Sequence, residues 1–407
     1  MVQRKQKRTL VFTAVAGMAL VISGCAGGPG APAGDGSDAA AVQLTGSTGY
    51  PQTHPNTLAL VEWSESVTDD SDGSLSFEWY YGDSLVALPE NANALADGLV
   101  DVAYIVPAYT PAEFPADAWA SRIGYGVDER PVVGLLAAAA ATMEWGYTEP
   151  AIREEIEANG TMPLIPRFQM FDNYNLICSS KVTSLEDARG KRVRVGGEAY
   201  ARVATALGMT PVTMTASEMY EGMERGVVDC MMGGEIDMTG QGLWEVAGEW
   251  TQINLPGWNS VALGLGNDAV AELGDENFNV VVDSLDAFIN RFFTNYLQEQ
   301  HKFFSTGSSL HGVSYHQAEA DLTQAIDDFY AEERQSMVAD APASFEDPEG
   351  SLDRYDELLA KWTDIVVELG YDPGTTDRVE WASEELDIDL TAWADRVQSD
   401  VFDVYVR

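Results

Sequence analysis

The stretch KRVRVGGEAYARVATALGMTPVTMTASEMYEGMERGVVDCMM, from Lys191 to Met232, decides the fold class. Short runs of β-branched residues alternate in it with helical segments that end at Gly208 and Gly226. Such alternation is typical of parallel strands joined by helical crossovers, so the stretch predicts a βαβαβ unit. The predicted strands are residues 192–195, 211–214 and 227–232, and the predicted helices are residues 198–207 and 215–226, the second beginning at a Thr215–Glu218 capping box.

A second unit of the same kind precedes this one. In both, a glycine ends a helix and an acid follows early in the third strand, as in Asp97-Gly98-Leu99-Val100-Asp101 and Arg225-Gly226-Val227-Val228-Asp229. Two units predict two lobes with a cleft between them, because open α/β sheets bind ligands beyond the carboxyl ends of their strands. The first unit has predicted strands at 42–47, 75–81 and 100–106 and predicted helices at 56–68 and 83–97.

The rest of the folded chain is predicted to be mainly helical. Apolar residues recur at three- and four-residue spacing over 281–304, 316–338 and 352–369, which we interpret as packing faces. The final segment, 377–407, has no pattern that places it securely.

The amino terminus indicates export. Basic residues precede an apolar run from Leu10 to Ile22, which is shorter than the roughly 20 residues of a membrane span. The run ends in Ile22-Ser23-Gly24-Cys25, which resembles the lipobox of bacterial lipoproteins, so we expect Cys25 to carry the lipid. A signal peptide that happens to contain a cysteine is the alternative. Residues 26–41 lack large apolar side chains and are predicted to form a flexible tether.

Composition narrows the function classes. With 65 acidic and 23 basic residues the formal charge is −42, which argues against nucleic-acid or anionic-lipid partners. The four histidines offer neither metal-ligand spacing nor a nucleophile–base pair, so we expect no enzyme activity, metal or cofactor. Export permits a disulfide between Cys178 and Cys230, but spacing alone leaves their pairing open.

Several blocks resemble the solute-binding proteins of tripartite ATP-independent periplasmic (TRAP) transporters, over about Leu44 to Phe304. The most specific is Ser184-Leu185-Glu186-Asp187-Ala188-Arg189-Gly190-Lys191-Arg192-Val193-Arg194-Val195, and Gly226-Val227-Val228-Asp229 follows at matching spacing. Further support comes from Tyr50–Pro55 and from Leu99–Pro115.

The resemblance implies a two-lobed, periplasmic-binding-protein-like α/β clamshell (type II) that captures a small organic acid or zwitterion and delivers it to membrane permease subunits. It also implies an extracytoplasmic location on the outer face of the cytoplasmic membrane. The expected organisation is signal peptide 1–24, lipidated cysteine and tether 25–41, lobe 1 42–165, lobe 2 166–257, shared crossover segments 258–351 and a helical carboxyl-terminal extension 352–407.

Arg194 matches the family's carboxylate-binding arginine, and its predicted strand brings it to the cleft. Its planar fork of donors suits a carboxylate. An ion pair with an acid of its own lobe is the alternative interpretation. The other candidate ligand-binding residues follow predicted strand ends or lie where the chain crosses between lobes: Tyr109, Gly197, Met214, Gly233, Glu235 and Trp258.

The sequence departs from the family pattern after Asp229. Many members continue with glycine and polar residues including an asparagine, whereas Cys230-Met231-Met232-Gly233-Gly234 stands here. This predicts a less polar pocket, unsuited to highly hydroxylated ligands. Two other functions stay open: a sensor lipoprotein of the same fold that signals to a membrane receptor, and a surface hydrolase.

Overall fold

A computed structural model describes residues 41–123, 126–168 and 172–406. The predicted signal peptide, Cys25 and most of the tether lie outside these residues. The strands are β1 Val42–Thr48, β2 Leu75–Tyr81, β3 Val102–Ile105, β4 Thr161–Phe168, β5 Tyr174–Cys178, β6 Arg192–Val195, β7 Thr210–Thr213, β8 Cys230–Gly233, β9 Glu249–Leu255, β10 Val261–Gly266 and β11 Ser314–Gln317.

Helices surround these strands, and a few short turns are 3₁₀ (88–90, 107–109, 216–218, 243–245) or π-helical (398–402). The α-helices are α1 Pro55–Asp70, α2 Asn91–Ala96, α3 Pro115–Ala120, α4 Pro131–Thr148, α5 Pro150–Ala158, α6 Leu185–Ala188, α7 Glu198–Ala206, α8 Met219–Glu224, α9 Glu235–Gly240, α10 Asn267–Asp283, α11 Leu285–His311, α12 Ala320–Ala339, α13 Pro348–Glu368, α14 Arg378–Trp381, α15 Thr391–Val397 and α16 Asp403–Tyr405. Within the described ranges no helix is both long and apolar enough to cross a bilayer.

The strands form two sheets, which confirms the predicted α/β class. The first has the order β2-β1-β3-β10-β4, and the second has the order β11-β9-β5-β8-β6-β7. In the first, β1 pairs in parallel with both β2 and β3, and in the second β6 pairs in parallel with both β7 and β8. Each predicted βαβαβ unit therefore forms three adjacent parallel strands of one sheet. Antiparallel pairs extend both sheets, with β10 between β3 and β4 and with β5 between β8 and β9, and β11 pairs in parallel with β9 at the edge of the second sheet.

The long helix α11 contributes to the cores of both lobes. Near its start, Phe288 packs edge-on against Trp63 of the first lobe. Near its end, Phe303 packs against Trp250 of the second lobe. The apolar stripe predicted over 281–304 is therefore a packing face, although two helices meet at Ser284 where a single helix was predicted.

Two local predictions were wrong. The helix predicted over 83–97 is helical only from residue 88 onward, because Asp83 has a positive φ of 59° and its carboxylate accepts the Leu88 amide in a turn. The helix predicted from His316 begins instead at Ala320, since 314–317 form the edge strand β11 beside β9. Apolar spacing alone did not distinguish a four-residue strand from the start of a helix.

Cys178 and Cys230 are joined by a disulfide. The two residues face each other on the antiparallel strands β5 and β8, with their Cα atoms 4.0 Å apart. Both side chains are buried in the second lobe. The bond closes a loop between residues 52 positions apart, and this loop contains the strands β6 and β7.

Replacing both cysteines by alanine is expected to lower the free energy of unfolding by about 2–4 kcal/mol, because the unfolded chain regains the entropy of this loop. Urea unfolding of the oxidised protein and of the double variant measures the difference. A reductant should destabilise the wild type and leave the variant unchanged. Equal stability of oxidised wild type and variant would contradict this role.

The carboxyl-terminal extension inserts an arginine into the interior. Arg378, at the start of α14, is 2% exposed and its guanidinium lies 2.6 Å from a carboxylate oxygen of Asp172. Its Nε atom lies 4.0 Å from the Glu235 carboxylate. Tyr296 and Gln300 of α11 donate to Glu235 and Asp172, respectively. We call these five residues the Arg378 cluster; it joins the extension to α11, the second lobe and the start of β5.

Replacing Arg378 by methionine is expected to lower the free energy of unfolding by about 3–5 kcal/mol, because it leaves the buried carboxylate of Asp172 without its cation. Arg334→Met is the matched control. Arg334 pairs with the exposed acids Asp353 and Asp356, so its loss should cost less than about 1 kcal/mol. Similar losses in the two variants, measured by urea unfolding, would refute a special role of the Arg378 cluster.

Candidate ligand-binding site

Arg194 lies on β6, the middle parallel strand of the second lobe. Its side chain is 2% exposed, and its Nε donates to the main-chain carbonyl of Met214 at 3.0 Å. Met214 directly follows β7, which pairs with β6, so the end of the neighbouring strand holds the guanidinium. Burial acts to lower the pKa of Arg194, but Tyr109, Tyr174 and an acid act to raise it, and the net shift is upward. The guanidinium therefore carries its charge at every physiological pH.

Four arginines are buried in the described part of the chain, and Arg194 differs from the other three. Arg122 pairs with Glu333 at 2.6 Å, Arg167 pairs with Asp117, and Arg378 pairs with Asp172. Among the described residues, no carboxylate lies within 4.0 Å of Arg194. An ion pair with an acid of its own lobe, the alternative considered from the sequence, is absent there. The charge of Arg194 is thus buried without a direct counterion.

Aromatic rings surround this guanidinium. Trp258 stacks on Tyr200 with ring centres 5.8 Å apart and on Tyr174 at 6.2 Å, and Tyr109 lies 5.9 Å away on another side. Gly196 permits this arrangement, because a Cβ on it would lie 2.3 Å from the Trp258 ring. Trp258 itself lies on the segment between β9 of the second sheet and β10 of the first. We call Tyr109, Tyr174, Tyr200 and Trp258 the aromatic cluster.

The two lobes touch at this point. The Tyr109 hydroxyl, on the turn after β3 of the first lobe, accepts the Ala216 amide of the second lobe at 3.0 Å. Gly197 is buried against the same turn, since an added Cβ would lie 3.1 Å from the Cβ of Ala108. The Arg194 side chain also interacts with the Tyr109 hydroxyl. Arg194 therefore lies where the cleft closes.

A buried ion pair supports the turn that carries Tyr109. Arg167 pairs with Asp117 and donates to the side-chain carbonyl of Asn259 at 2.9 Å. Ser260 donates to the other oxygen of Asp117 and accepts the Ala108 amide at 3.0 Å. This network fixes the turn through its main chain.

A buried acid, Asp237, lies on the first turn of α9 and is 3% exposed. Its carboxylate accepts the Gly234 amide at 3.0 Å and occupies the space over Gly233, where an added Cβ would lie 2.8 Å from it. Burial raises the pKa of Asp237, and the charge of Arg194 opposes that effect. A polar group thus fills the position where the sequence analysis expected only methionine and glycine.

Of the other candidate ligand-binding residues, four lie around Arg194 and two do not. Tyr109, Gly197, Met214 and Trp258 lie around Arg194, but Met214 contributes its carbonyl, and its side chain is directed toward Gly222. Gly233 lies beneath Asp237. Glu235 belongs to the Arg378 cluster and has no described contact with Arg194.

Sequence reasoning did not identify Asp237, Tyr50, Tyr174 and Tyr200 as candidate site residues. Tyr50 was noted within the Tyr50–Pro55 block, and Asp237 follows the third strand of its unit by only a few residues. These two positions in the sequence were the signals that could have identified Tyr50 and Asp237 as candidate site residues. No sequence pattern showed that Tyr174 and Tyr200 stack against or beside Trp258.

A separate cavity of about 470 Å³ lies between residues 126–129, the β9 end and α12, and Asn173, Ile253 and Tyr330 contribute to its lining. Arg194 and Trp258 do not line it. We therefore take Arg194 as the centre of the candidate site, because a buried charge without a counterion calls for a ligand.

Known proteins agree with this architecture. Residues 46–328 match the bacterial extracellular solute-binding protein family 7, the DctP family, and the chain belongs to this family. Among solved structures, it is similar to a Bordetella bronchiseptica TRAP periplasmic solute-binding protein with bound mandelate, with 20% identity, a TM-score of 0.65 and coverage of 79% of this chain and 99% of that one.

Two further structures have the same fold. DctP7 of Bordetella pertussis, a receptor binding pyroglutamic acid, has 17% identity, a TM-score of 0.65 and coverage of 78% and 100% of the two chains. DctPAm of Advenella mimigardefordensis, in complex with galactonate, has 16% identity, a TM-score of 0.68 and coverage of 78% and 99%. These likenesses confirm the two-lobed fold, and the family makes this chain an extracytoplasmic receptor for a small organic solute.

The pH dependence of stability tests the placement of Glu235. Burial raises its pKa to about 7, and Arg378 only partly opposes this. The native state therefore holds a proton that the unfolded state releases near pH 4.5, so stability should fall as the pH rises from about 4.5 to 7. Glu235→Gln is expected to remove about 2–3 kcal/mol of this change.

Urea unfolding at pH 5 and pH 8 measures the effect. Burial also raises the pKa of Glu155 to about 7. The difference in unfolding free energy between the two pH values should therefore become smaller in Glu235→Gln, and smaller still when Glu155→Gln is added. An unchanged difference between the two pH values in Glu235→Gln would be incompatible with a buried Glu235 in the Arg378 cluster.

Proposed function

We propose that this protein captures a small organic carboxylate between its lobes and delivers it to the membrane subunits of a TRAP-type permease. The observation that carries the proposal is the buried charge of Arg194, which has no carboxylate within 4.0 Å in the described ranges. A bound carboxylate would neutralise it and accept two parallel hydrogen bonds from its planar fork. The similar structures that bind mandelate, pyroglutamic acid and galactonate support an acid as the ligand.

The neighbouring residues have distinct proposed roles. Tyr109 donates a hydrogen bond to the carboxylate and joins the lobes on closure, while Met214 holds the guanidinium through its carbonyl. Gly197 admits the turn of the first lobe, and Trp258 forms an apolar wall. Gly233 makes room for Asp237, and Glu235 acts at a distance by holding α9 through the Arg378 cluster.

The proposal includes the membrane attachment. Cys25, lipidated after signal cleavage, would anchor the receptor to the outer face of the cytoplasmic membrane, and residues 26–41 would separate the folded part from it. Anchoring keeps the receptor within reach of a permease in the same membrane.

Arg194→Met provides the test, with Arg167→Met as the matched control. A carboxylate should bind the Arg194 variant about 30- to several-thousand-fold more weakly, as the loss of a buried charge partner of 2–5 kcal/mol requires. Without ligand, the variant should be as stable as the wild type or more stable, because it no longer buries a charge without a counterion. Arg167→Met should instead be destabilised by about 3–5 kcal/mol, since it leaves Asp117 alone.

Calorimetric titration and thermal melting with mandelate, pyroglutamate, galactonate and orotate measure both effects. A ligand at a hundredfold excess over Kd should stabilise the wild type by about 2.7 kcal/mol. Ligand binding that survives in Arg194→Met would remove Arg194 from the site. No binding of any small carboxylate to the wild type would refute the proposed function.

A further inference from the structure

Asp237 is unusual among the capping acids of this chain. Three carboxylates here bond back to the amide at the start of their own helical turn: Asp187, Glu218 and Asp237. Asp187 and Glu218 are exposed, whereas Asp237 is 3% exposed and its helix faces the first lobe, where Gly240 packs against His54. Capping does not require burial, so the position of Asp237 in the cleft needs another explanation.

Asp237 and Arg194 lie on neighbouring parts of the second lobe without pairing. The Asp237 carboxylate covers Gly233 at the end of β8, and β8 pairs with β6, on which Arg194 lies opposite Met231. Their charged atoms are more than 4.0 Å apart, and each is held by other groups: Asp237 by Gly234 and Gln241, and Arg194 by Met214. The two charges nevertheless act on each other and on one set of hydroxyl groups. That set consists of Tyr50, Tyr109, Tyr174 and Tyr200.

The site therefore presents one positive and one negative group beside the aromatic cluster, since Gly233 beneath Asp237 pairs with Asn175, the neighbour of Tyr174. A simple carboxylate would neutralise Arg194 but would add an anion to a closed cleft that already holds Asp237. A buried charge without a partner is costly, so this arrangement is unfavourable. A ligand that carries both a carboxylate and a positive nitrogen complements both groups and leaves the closed site neutral.

We infer that the ligand of this site is a zwitterion, with its carboxylate on Arg194 and its cationic nitrogen toward Asp237 and the aromatic cluster. This inference rests on the proposed function and narrows its substrate class. Aromatic faces also attract cations directly, most strongly those of tryptophan, and Trp258 lies among the three tyrosines of the aromatic cluster. An amino acid, an N-methylated amino acid or a cyclic amino acid meets these requirements.

Pairs of ligands with the same shape and different charge test the inference. Glycine betaine and 3,3-dimethylbutanoate differ only in a quaternary nitrogen replaced by carbon. Proline with cyclopentanecarboxylate, and phenylalanine with 2-methyl-3-phenylpropanoate, extend the comparison to rings and larger bodies. In every pair that binds the purified wild-type protein, the zwitterion should bind at least tenfold more tightly by calorimetric titration.

Asp237→Asn assigns the preference to one group. Asparagine keeps the shape and an oxygen that can accept the Gly234 amide, and a melting curve checks the fold. The variant should lose the preference for the zwitterion and bind the carbon analogue as well as or better than the wild type does. Asp229→Asn is the control, because Asp229 pairs with the exposed Arg192 outside the cleft. This variant should prefer the zwitterion over the carbon analogue as strongly as the wild type does.

The outcomes separate this inference from the proposed function. Equal or tighter binding of the carbon analogues by the wild type would overturn the zwitterion assignment while leaving a carboxylate receptor intact. Binding of mandelate or pyroglutamate with no binding of any zwitterion in the panel would overturn it as well. Failure of every carboxylate, zwitterionic or not, would overturn both. The wild-type comparison decides the question even if Asp237→Asn does not fold.

Discussion

A charge that is removed from water needs a counterion, and in this protein that constraint links the fold to the ligand. Three of the four buried arginines in the described ranges meet it with a carboxylate of the chain. Arg194 lacks such a carboxylate, so its charge is balanced only at a distance by Asp237. A receptor gains from this arrangement, because an arginine already paired within the chain would have to break that pair before binding a ligand.

The same constraint organises the surroundings of the cleft. The Arg167–Asp117 pair fixes the turn that carries Tyr109, and the Arg378 cluster fixes α9, which carries Asp237. Both sets of buried charges thus position residues that face Arg194, although neither is part of the proposed binding surface. The Arg378 cluster depends on a segment beyond the family match at 46–328, so residues outside that match help to hold α9 in place.

Glycines determine how closely the parts of the site approach. Gly196 admits the ring of Trp258, Gly197 admits the Ala108 turn and Gly233 admits the carboxylate of Asp237. The methionines and glycines of residues 230–234 predicted a less polar pocket, and the carboxylate of Asp237 occupies the space over Gly233, four residues before it in the chain. Because Gly233 has no side chain, the Asp237 carboxylate can occupy that space.

The sequence by itself determined the α/β class, the two parallel units and the Thr215–Glu218 capping box, because these follow from short-range periodicity and from local motifs. It proposed Arg194 as a binding residue through the family resemblance. It also indicated that Tyr109, Gly197, Met214 and Trp258 lie near strand ends or crossovers. Only the tertiary structure decided which cysteines and charges meet, that Glu235 belongs to the Arg378 cluster, and that Asp237 and the tyrosines join Arg194. Those contacts connect residues far apart in the chain, and their formation depends on three-dimensional packing that leaves no periodic signal in the sequence.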